Sequence, residues 1–243
     1  MTALTRSHKG RAVSEQRRPA PVDGWQTDLV DGPEYMKRAD ELQLFPSHPW
    51  SVRAMLDTLG PRLFRYWPEV PASIVAYENC AGKGHMVEPL REYFPDVRPS
   101  DIEDWGKGYP IADALTFEAD SDPCDSFLIT NAPFDKPLKG MAEKIVRQAQ
   151  KTCDNVIVLQ RLSFICGQGR HALHYDNPLG NLKHFMPCTE RTPMQLGHYN
   201  PACSKPQEYA WFHYQRNYTG LPVTLPIPPG SREKFFRPED VRI

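Results

Sequence analysis

The chain has 243 residues, 40% hydrophobic and 24% charged, which is the balance of a globular domain with room for one large core. No apolar run approaches the roughly 18 residues of a membrane span, so a spanning helix is excluded. A net charge of −1 excludes a chain that holds polyanions by its overall field; nucleic-acid contact must come from local basic patches.

Residues 1–24 are polar and contain proline, and they read as a flexible arm ahead of one domain over 25–222. Arg6, Lys9, Arg11, Arg17 and Arg18 fall in this arm. No apolar stretch follows them, so the arm does not read as a secretory signal. In SHPWSVRAMLDTLG, Pro49 suits a first helical turn, and Val52, Met55, Leu56 and Leu59 recur at helical spacing. Gly60 is expected to stop that helix. Short apolar runs at 73–78, 125–130, 155–160 and 209–214, with a weaker one at 97–101, read as strands, with helical patterns at 86–93 and 136–150 between them. This alternation predicts an α/β fold with a mainly parallel, doubly wound sheet. Residues 165–206, rich in His, Pro, Gly and Asn, read as a long functional loop. Residues 223–243 read as a Pro-rich tail extended over the surface. The six cysteines (Cys80, Cys124, Cys153, Cys166, Cys188 and Cys203) form no CxxC pair. No metal site or disulfide framework is expected, and a reducing cytoplasm is.

The segment IVAYENCAGKGHM places an acidic residue at a strand end, then a small-residue turn (Ala81, Gly82, Gly84), then a helix. Such a turn lets the backbone approach a ligand at the carboxyl ends of the strands. Lys83 lacks the following Ser or Thr of a phosphate loop, and GxGxxG is absent, which disfavours a nucleotide-dependent oxidoreductase. In PSDIEDWG, Asp101 ends a second strand, where a carboxylate can accept both hydroxyls of a ribose. Asp113 in IADALTF can accept from an adenine amino group. In this order the acidic residues outline an adenosine-bearing ligand.

The strand DSFLIT runs into Asn131-Ala132-Pro133-Phe134. The amine of adenine or cytosine is a poor nucleophile because its lone pair is delocalised. The Asn131 side-chain oxygen and the Ala132 carbonyl can hold both amino hydrogens, Pro133 stiffens the turn, and Phe134 can stack on a flipped base. With an activated methyl donor, positioning and electrostatics suffice. The same four residues also suit a strand-ending turn with a core Phe. Cys124 precedes its strand, the wrong end of the sheet for a nucleophile. Beyond the next strand, Arg161, Arg170, His171, Lys183 and Arg191 are interleaved with aromatics, a pattern that suits DNA contact as well as a solvated loop.

Together, YENCAGKGH, SDIEDWG, ITNAPF and the pair LQRLSF…GR and YAWFHYQRNYTGLP resemble class I S-adenosylmethionine-dependent amino-methyltransferases. Specifically, they are similar to the compact N6-adenine DNA methyltransferases of bacteriophages and prophages, over about residues 45–222. The resemblance implies a Rossmann-like fold with a mostly parallel seven-stranded sheet and helices on both faces. It implies S-adenosyl-L-methionine as cofactor, methylation of adenine N6 in DNA, and a bacterial host's cytoplasm. It also assigns roles. Pro49 and Trp50 lie near the methionine end, Glu78, Asn79, Cys80, Ala81, Gly82 and Gly84 beneath the cofactor, Asp101 and Ile102 at the ribose, and Asp113 and Asn131 beside it. Ala132 departs from the family, which has Pro there, and so do His213-Tyr214 and Asn217. RNA, a protein glutamine amide, and an inactive cofactor-binding scaffold stay open, as does a homodimer. No separate target-recognition domain fits, so short sequence specificity is expected.

Overall fold

Proline opens each of the first two helices, where its missing N–H forfeits no helical bond. The computed structural model describes residues 32–243; the arm expected over 1–24 lies outside them. Helix α1 (Pro33–Leu42) ends at Gln43, which is left-handed with φ 55°. Helix α2 (Pro49–Leu63) buries every residue from Pro49 to Leu56. It runs past Gly60 and does not stop there. Gly60 is needed for another reason: a Cβ would lie 2.3 Å from Cδ2 of Trp67, whose indole packs on the helix.

Seven strands form one sheet. In chain order they are β1 (Val75–Glu78), β2 (Asp96–Pro99), β3 (Ser126–Thr130), β4 (Asn155–Arg161), β5 (Leu182–Pro187), β6 (Tyr209–Gln215) and β7 (Val223–Thr224), and in space β2-β1-β3-β4-β6-β5-β7. The first four are mutually parallel. β6 inserts between β4 and β5, antiparallel to both, and β7 pairs parallel with β5.

Successive strand residues face opposite sides of a sheet, and the core divides accordingly. Ala76, Phe127, Ile129, Ile157 and Leu159 pack with Val52, Met55, Leu56 and Leu59 of α2 and with Leu90 of helix α3 (Val87–Arg91). Val75, Tyr77, Leu128, Val156 and Val158 pack on the other face. Their partners are Ile145 and Val146 of helix α4 (Met141–Ala149) and Leu173 of helix α5 (His171–Tyr175). Helices therefore cover both faces.

Three expectations need correction. The helix expected over 136–150 begins at Met141, because Pro137 and the left-handed Gly140 (φ 71°) keep 135–140 in a loop. The loop expected over 165–206 contains α5 and β5. The tail expected over 223–243 is packed: it forms β7 and helix α6 (Ser231–Phe235), and Asp240 is 2% exposed. Arg53 Nη1 and Nη2 donate to the two Asp240 oxygens at 2.7 and 2.8 Å, and Arg53 also binds Glu92 and the Phe235 carbonyl.

Candidate active site

The carboxyl ends of β1, β2 and β3 open into a cleft of about 210 Å³. Its floor is the turn after β1. Gly82 and Gly84 there have φ 51° and 86°, which glycine adopts without strain. A Cβ on Gly82 would lie 2.8 Å from Leu44 Cδ1, and one on Gly84 2.5 Å from Tyr109 Oη. The front wall is the segment 42–47 that follows α1. Gln43 Oε1 accepts from the Asp135 and Lys136 amides at 2.9 and 3.2 Å, and the Leu44 carbonyl accepts from Gly197 N.

Asn79, Cys80, Ala81, Gly82, Asp101, Ile102, Asp113, Asn131 and Pro133 all line the cleft. Pro49, Trp50, Glu78, Gly84, Ala132 and Phe134 stand behind that lining. Pro49 and Trp50, expected near the methionine end, belong to the buried start of α2 just after Ser47 of the cleft wall. Glu78 is fully buried. Its Oε1 accepts from Thr130 Oγ1 at 2.5 Å and from Cys80 N at 3.0 Å, Oε2 has no partner, and burial pushes the carboxyl up to about 8. Asp113 is exposed at the lip, where Oδ1 caps the short turn Ala114–Thr116 by accepting from Leu115 N.

Asp101 is not the pair of open acceptors that was expected. Oδ2 accepts from Gly82 N at 2.8 Å, and Oδ1 accepts from Glu103 N at 3.0 Å and Trp105 Nε1 at 3.1 Å. A carboxylate has about four acceptor positions. Three hold the glycine turn and the loop after β2 together, leaving room for one ligand hydroxyl.

At the end of β3, Asn131 Nδ2 donates to the Phe45 carbonyl at 2.9 Å and contacts Met194 Sδ at 3.4 Å. These acceptors fix which way the amide faces and leave Oδ1 buried without a partner. The structure adds a bond at the Ala132 carbonyl and corrects the expectation for Phe134. The Ala132 carbonyl accepts from Gln160 Nε2 at 2.6 Å, so one of its two lone pairs is used. Phe134 is 7% exposed, with the Arg161 guanidinium 4.7 Å from its ring centroid and Phe45 and Tyr209 at 5.7 and 6.0 Å. Phe134 is a core ring, whereas Phe45 and Trp105 line the cleft.

The five basic residues do not act together. Arg161 ends β4 at the cleft side. Arg170 folds back on the Phe164 and Cys166 carbonyls at 2.9 and 2.6 Å, locking its own loop. His171 pairs with Asp176, and Arg191 with Glu208, in exposed contacts that a phosphate can replace. Lys183 is misplaced for a substrate role. β5 and β4 both run toward the cleft, so Lys183, near the start of β5 and bonded to Gln215, lies at the opposite end of the sheet.

Sequence reasoning missed Gln160, Phe45, His48, His85 and Tyr199. Gln160 alternates with buried apolar residues along β4, so a polar side chain inside a core strand was its available signal. His85 lines the cleft and its ring lies 4.8 Å from that of Tyr199.

No protein-family model matches the chain, and no curated protein matches it in sequence. Solved structures do match. One is the type I restriction-modification system methyltransferase subunit from Streptococcus thermophilus, at 10% identity and TM-score 0.52, covering 81% of this chain and 50% of that one. The fold is the Rossmann-like methyltransferase fold. A chain of the DrdV–DNA complex superposes at TM-score 0.54 and 10% identity, covering 82% of this chain and 29% of that one. The 23S rRNA methyltransferase ErmE, at 13% identity with 77% and 69% coverage, superposes at 0.40, too loosely to carry an argument. This methyltransferase-fold chain thus spans half or less of the two better-superposed proteins. Among the described residues, no helix is long and apolar enough to cross a membrane, and no cluster of metal-ligating side chains occurs.

Proposed function

We propose that this chain methylates an exocyclic amine of a nucleic-acid base, N6 of adenine in DNA, with S-adenosylmethionine as donor. The observation that carries the reading is the buried, unpartnered Asn131 Oδ1, held at the cleft by its own amide nitrogen. The cleft fits the cofactor. Its floor lacks side chains at Gly82, Asp101 keeps one acceptor position for a ribose hydroxyl, Ile102 offers an apolar face, and Asn79 Nδ2 is a buried donor without a partner. When bound, S-adenosylmethionine supplies a methyl group already activated as a sulfonium.

Asn131 Oδ1 accepts one hydrogen of the incoming amine, and the second lone pair of the Ala132 carbonyl is available for the other. Both acceptors are fixed in advance, by Phe45 and by Gln160, so no reorganisation is needed as the amine becomes pyramidal. Phe45, at the cleft wall, is placed to stack on the base. The sequence blocks support DNA over RNA, and the DrdV chain was solved in complex with DNA. A second reading, a cofactor-binding chain without turnover, is favoured by Ala132 and by the covered face of Phe134. One experiment tests both: tritiated methyl transfer to duplex DNA, RNA and protein, with adenine-N6 and cytosine-N4 products separated after digestion. Label on adenine N6 of DNA supports the proposal; label elsewhere redirects it; cofactor binding without label anywhere selects the second reading.

A further inference from the structure

A partly buried guanidinium ordinarily has a carboxylate beside it, because an unpaired charge out of water costs free energy. Arg53 and Arg147 follow that rule, with Asp240 and Glu143. Arg161 does not. It is partly buried, its Nε is enclosed without a hydrogen-bond partner, and among the described residues no carboxylate pairs with it. Its guanidinium stands over the Phe134 ring, 4.7 Å from the centroid. Opposite Arg161 in the β4–β6 register is Tyr209, 5% exposed, whose ring lies 6.0 Å from that of Phe134. Burial pushes the Tyr209 phenol up to about 12 while Arg161 pulls it down, so the hydroxyl keeps its hydrogen at neutral pH.

We infer that Arg161 and Tyr209 form a subsite for a backbone phosphate of the nucleic-acid strand whose base is methylated. The inference rests on the nucleic-acid reading above. Phe134 belongs to the tetrapeptide, and Gln160, next to Arg161, holds the Ala132 carbonyl at 2.6 Å. An anion here lies on the β4 side of the tetrapeptide, whereas the glycine turn lies on the β1 side. Neither Arg161 nor Tyr209 lines the cofactor cleft, so strand and cofactor do not compete. The chemistry selects phosphate. A guanidinium offers a planar fork that matches two phosphate oxygens, and a phenol adds a neutral donor. The neighbouring acid, Glu208, is already paired with Arg191, which leaves the charge of Arg161 unanswered.

The test is fluorescence anisotropy of duplex DNA across a salt series, beside calorimetry with S-adenosylhomocysteine. Arg161→Gln is expected to flatten the salt slope by about one unit and to weaken DNA about tenfold at low salt. Arg161→Lys keeps the charge and loses the fork, so the slope should hold while affinity falls about threefold to tenfold. Tyr209→Phe deletes one neutral donor and should weaken DNA about tenfold with the slope unchanged. All three variants should bind S-adenosylhomocysteine within about twofold of wild type. A role confined to packing on Phe134 would lower the melting temperature and leave the slope alone. An unchanged slope in folded Arg161→Gln therefore overturns the inference. Should Arg161→Gln fail to fold, the other two variants decide, and wild-type DNA affinity in both overturns it. If the wild type binds no nucleic acid even at low salt, the nucleic-acid reading falls and the subsite falls with it. If the slope flattens as expected but the wild type labels no base, the subsite stands and the methylation reading falls.

Discussion

The Asn131 amide nitrogen donates to the carbonyl of Phe45, 86 residues earlier in the chain, at 2.9 Å. That bond decides which end of the amide is offered to a ligand. Asn131→Ala removes a preorganised acceptor and is expected to lower turnover about a hundred- to a thousand-fold. The check is tritiated methyl transfer, with folding verified by circular dichroism. Near-full activity in folded Asn131→Ala would take this residue out of the chemistry.

Gln160 plays the matching part for Ala132. Gln160→Met keeps the volume and deletes the donor, so the buried Ala132 carbonyl is left unpaired. The expected loss is about 1–3 kcal/mol in urea unfolding. A midpoint within error of wild type would show that the carbonyl finds another partner.

These two contacts also show how far the sequence could be read. Strands β3 and β4 were legible because continuous apolar runs mark doubly covered strands, and Asn131 was legible because it ends one of them. β5 was not. Lys183, His184 and Pro187 make LKHFMP look like a loop, although its burial alternates residue by residue. Helix α1 was missed because Ala39 is its one fully buried residue, so no apolar stripe announces it. Gly60 was read as a stop because the indole of Trp67 that requires it approaches only in three dimensions. Asp101 lines the cleft. Its bonds to Gly82, Glu103 and Trp105 depend on loop geometry that no spacing encodes.

Arg53, 2% exposed, joins α2 to Asp240 in a two-bond fork. Arg53→Met leaves Asp240 buried without its cation, and such a break costs about 3–5 kcal/mol. Guanidinium denaturation measures it. A loss below about 1 kcal/mol would mean that Asp240 reaches solvent or another partner.

Lys183 lies at the far end of the sheet from the cleft. Lys183→Gln is expected to leave nucleic-acid affinity and its salt slope unchanged, whereas a phosphate contact would flatten that slope by about one unit. Fluorescence anisotropy across a salt series distinguishes the two, and a flattened slope would put nucleic acid on both ends of the sheet.

Buried imidazoles and buried carboxyls set opposing pH dependences. Burial holds His48 and His184 down at about 4 and His85 at about 3, and lifts Glu78 to about 8. A depressed imidazole stabilises the fold fully above its unfolded pKa of about 6.5, and that contribution is lost as pH falls. The raised carboxyl stabilises the fold below its unfolded value, and that contribution is lost as pH rises toward 8. Between about pH 4.5 and 6.5 the depressed imidazoles, with His213 and His174 held down by burial as well, outnumber the raised carboxyls of Glu78 and Asp101, so stability rises with pH. From about 6.5 to 8 the raised Glu78 carboxyl leaves a decline of up to about 1.4 kcal/mol per unit. Urea unfolding from pH 5 to 8 should peak near 6.5; a curve that climbs steadily to pH 8 would show Glu78 ionised in the folded chain.

The reversed strand β6 also constrains how the protein emerges from a ribosome. β4 pairs with β3 on one side and with β6 on the other, so its second edge stays open until residue 215 has been made. During that interval an apolar edge strand is exposed, the condition under which nascent chains pair with one another. Slow translation between β4 and β6 would prolong this exposure, whereas a chaperone acting there would shorten its consequences. Yield in a cell should therefore depend more on codon choice across 162–208 than on changes within the cleft.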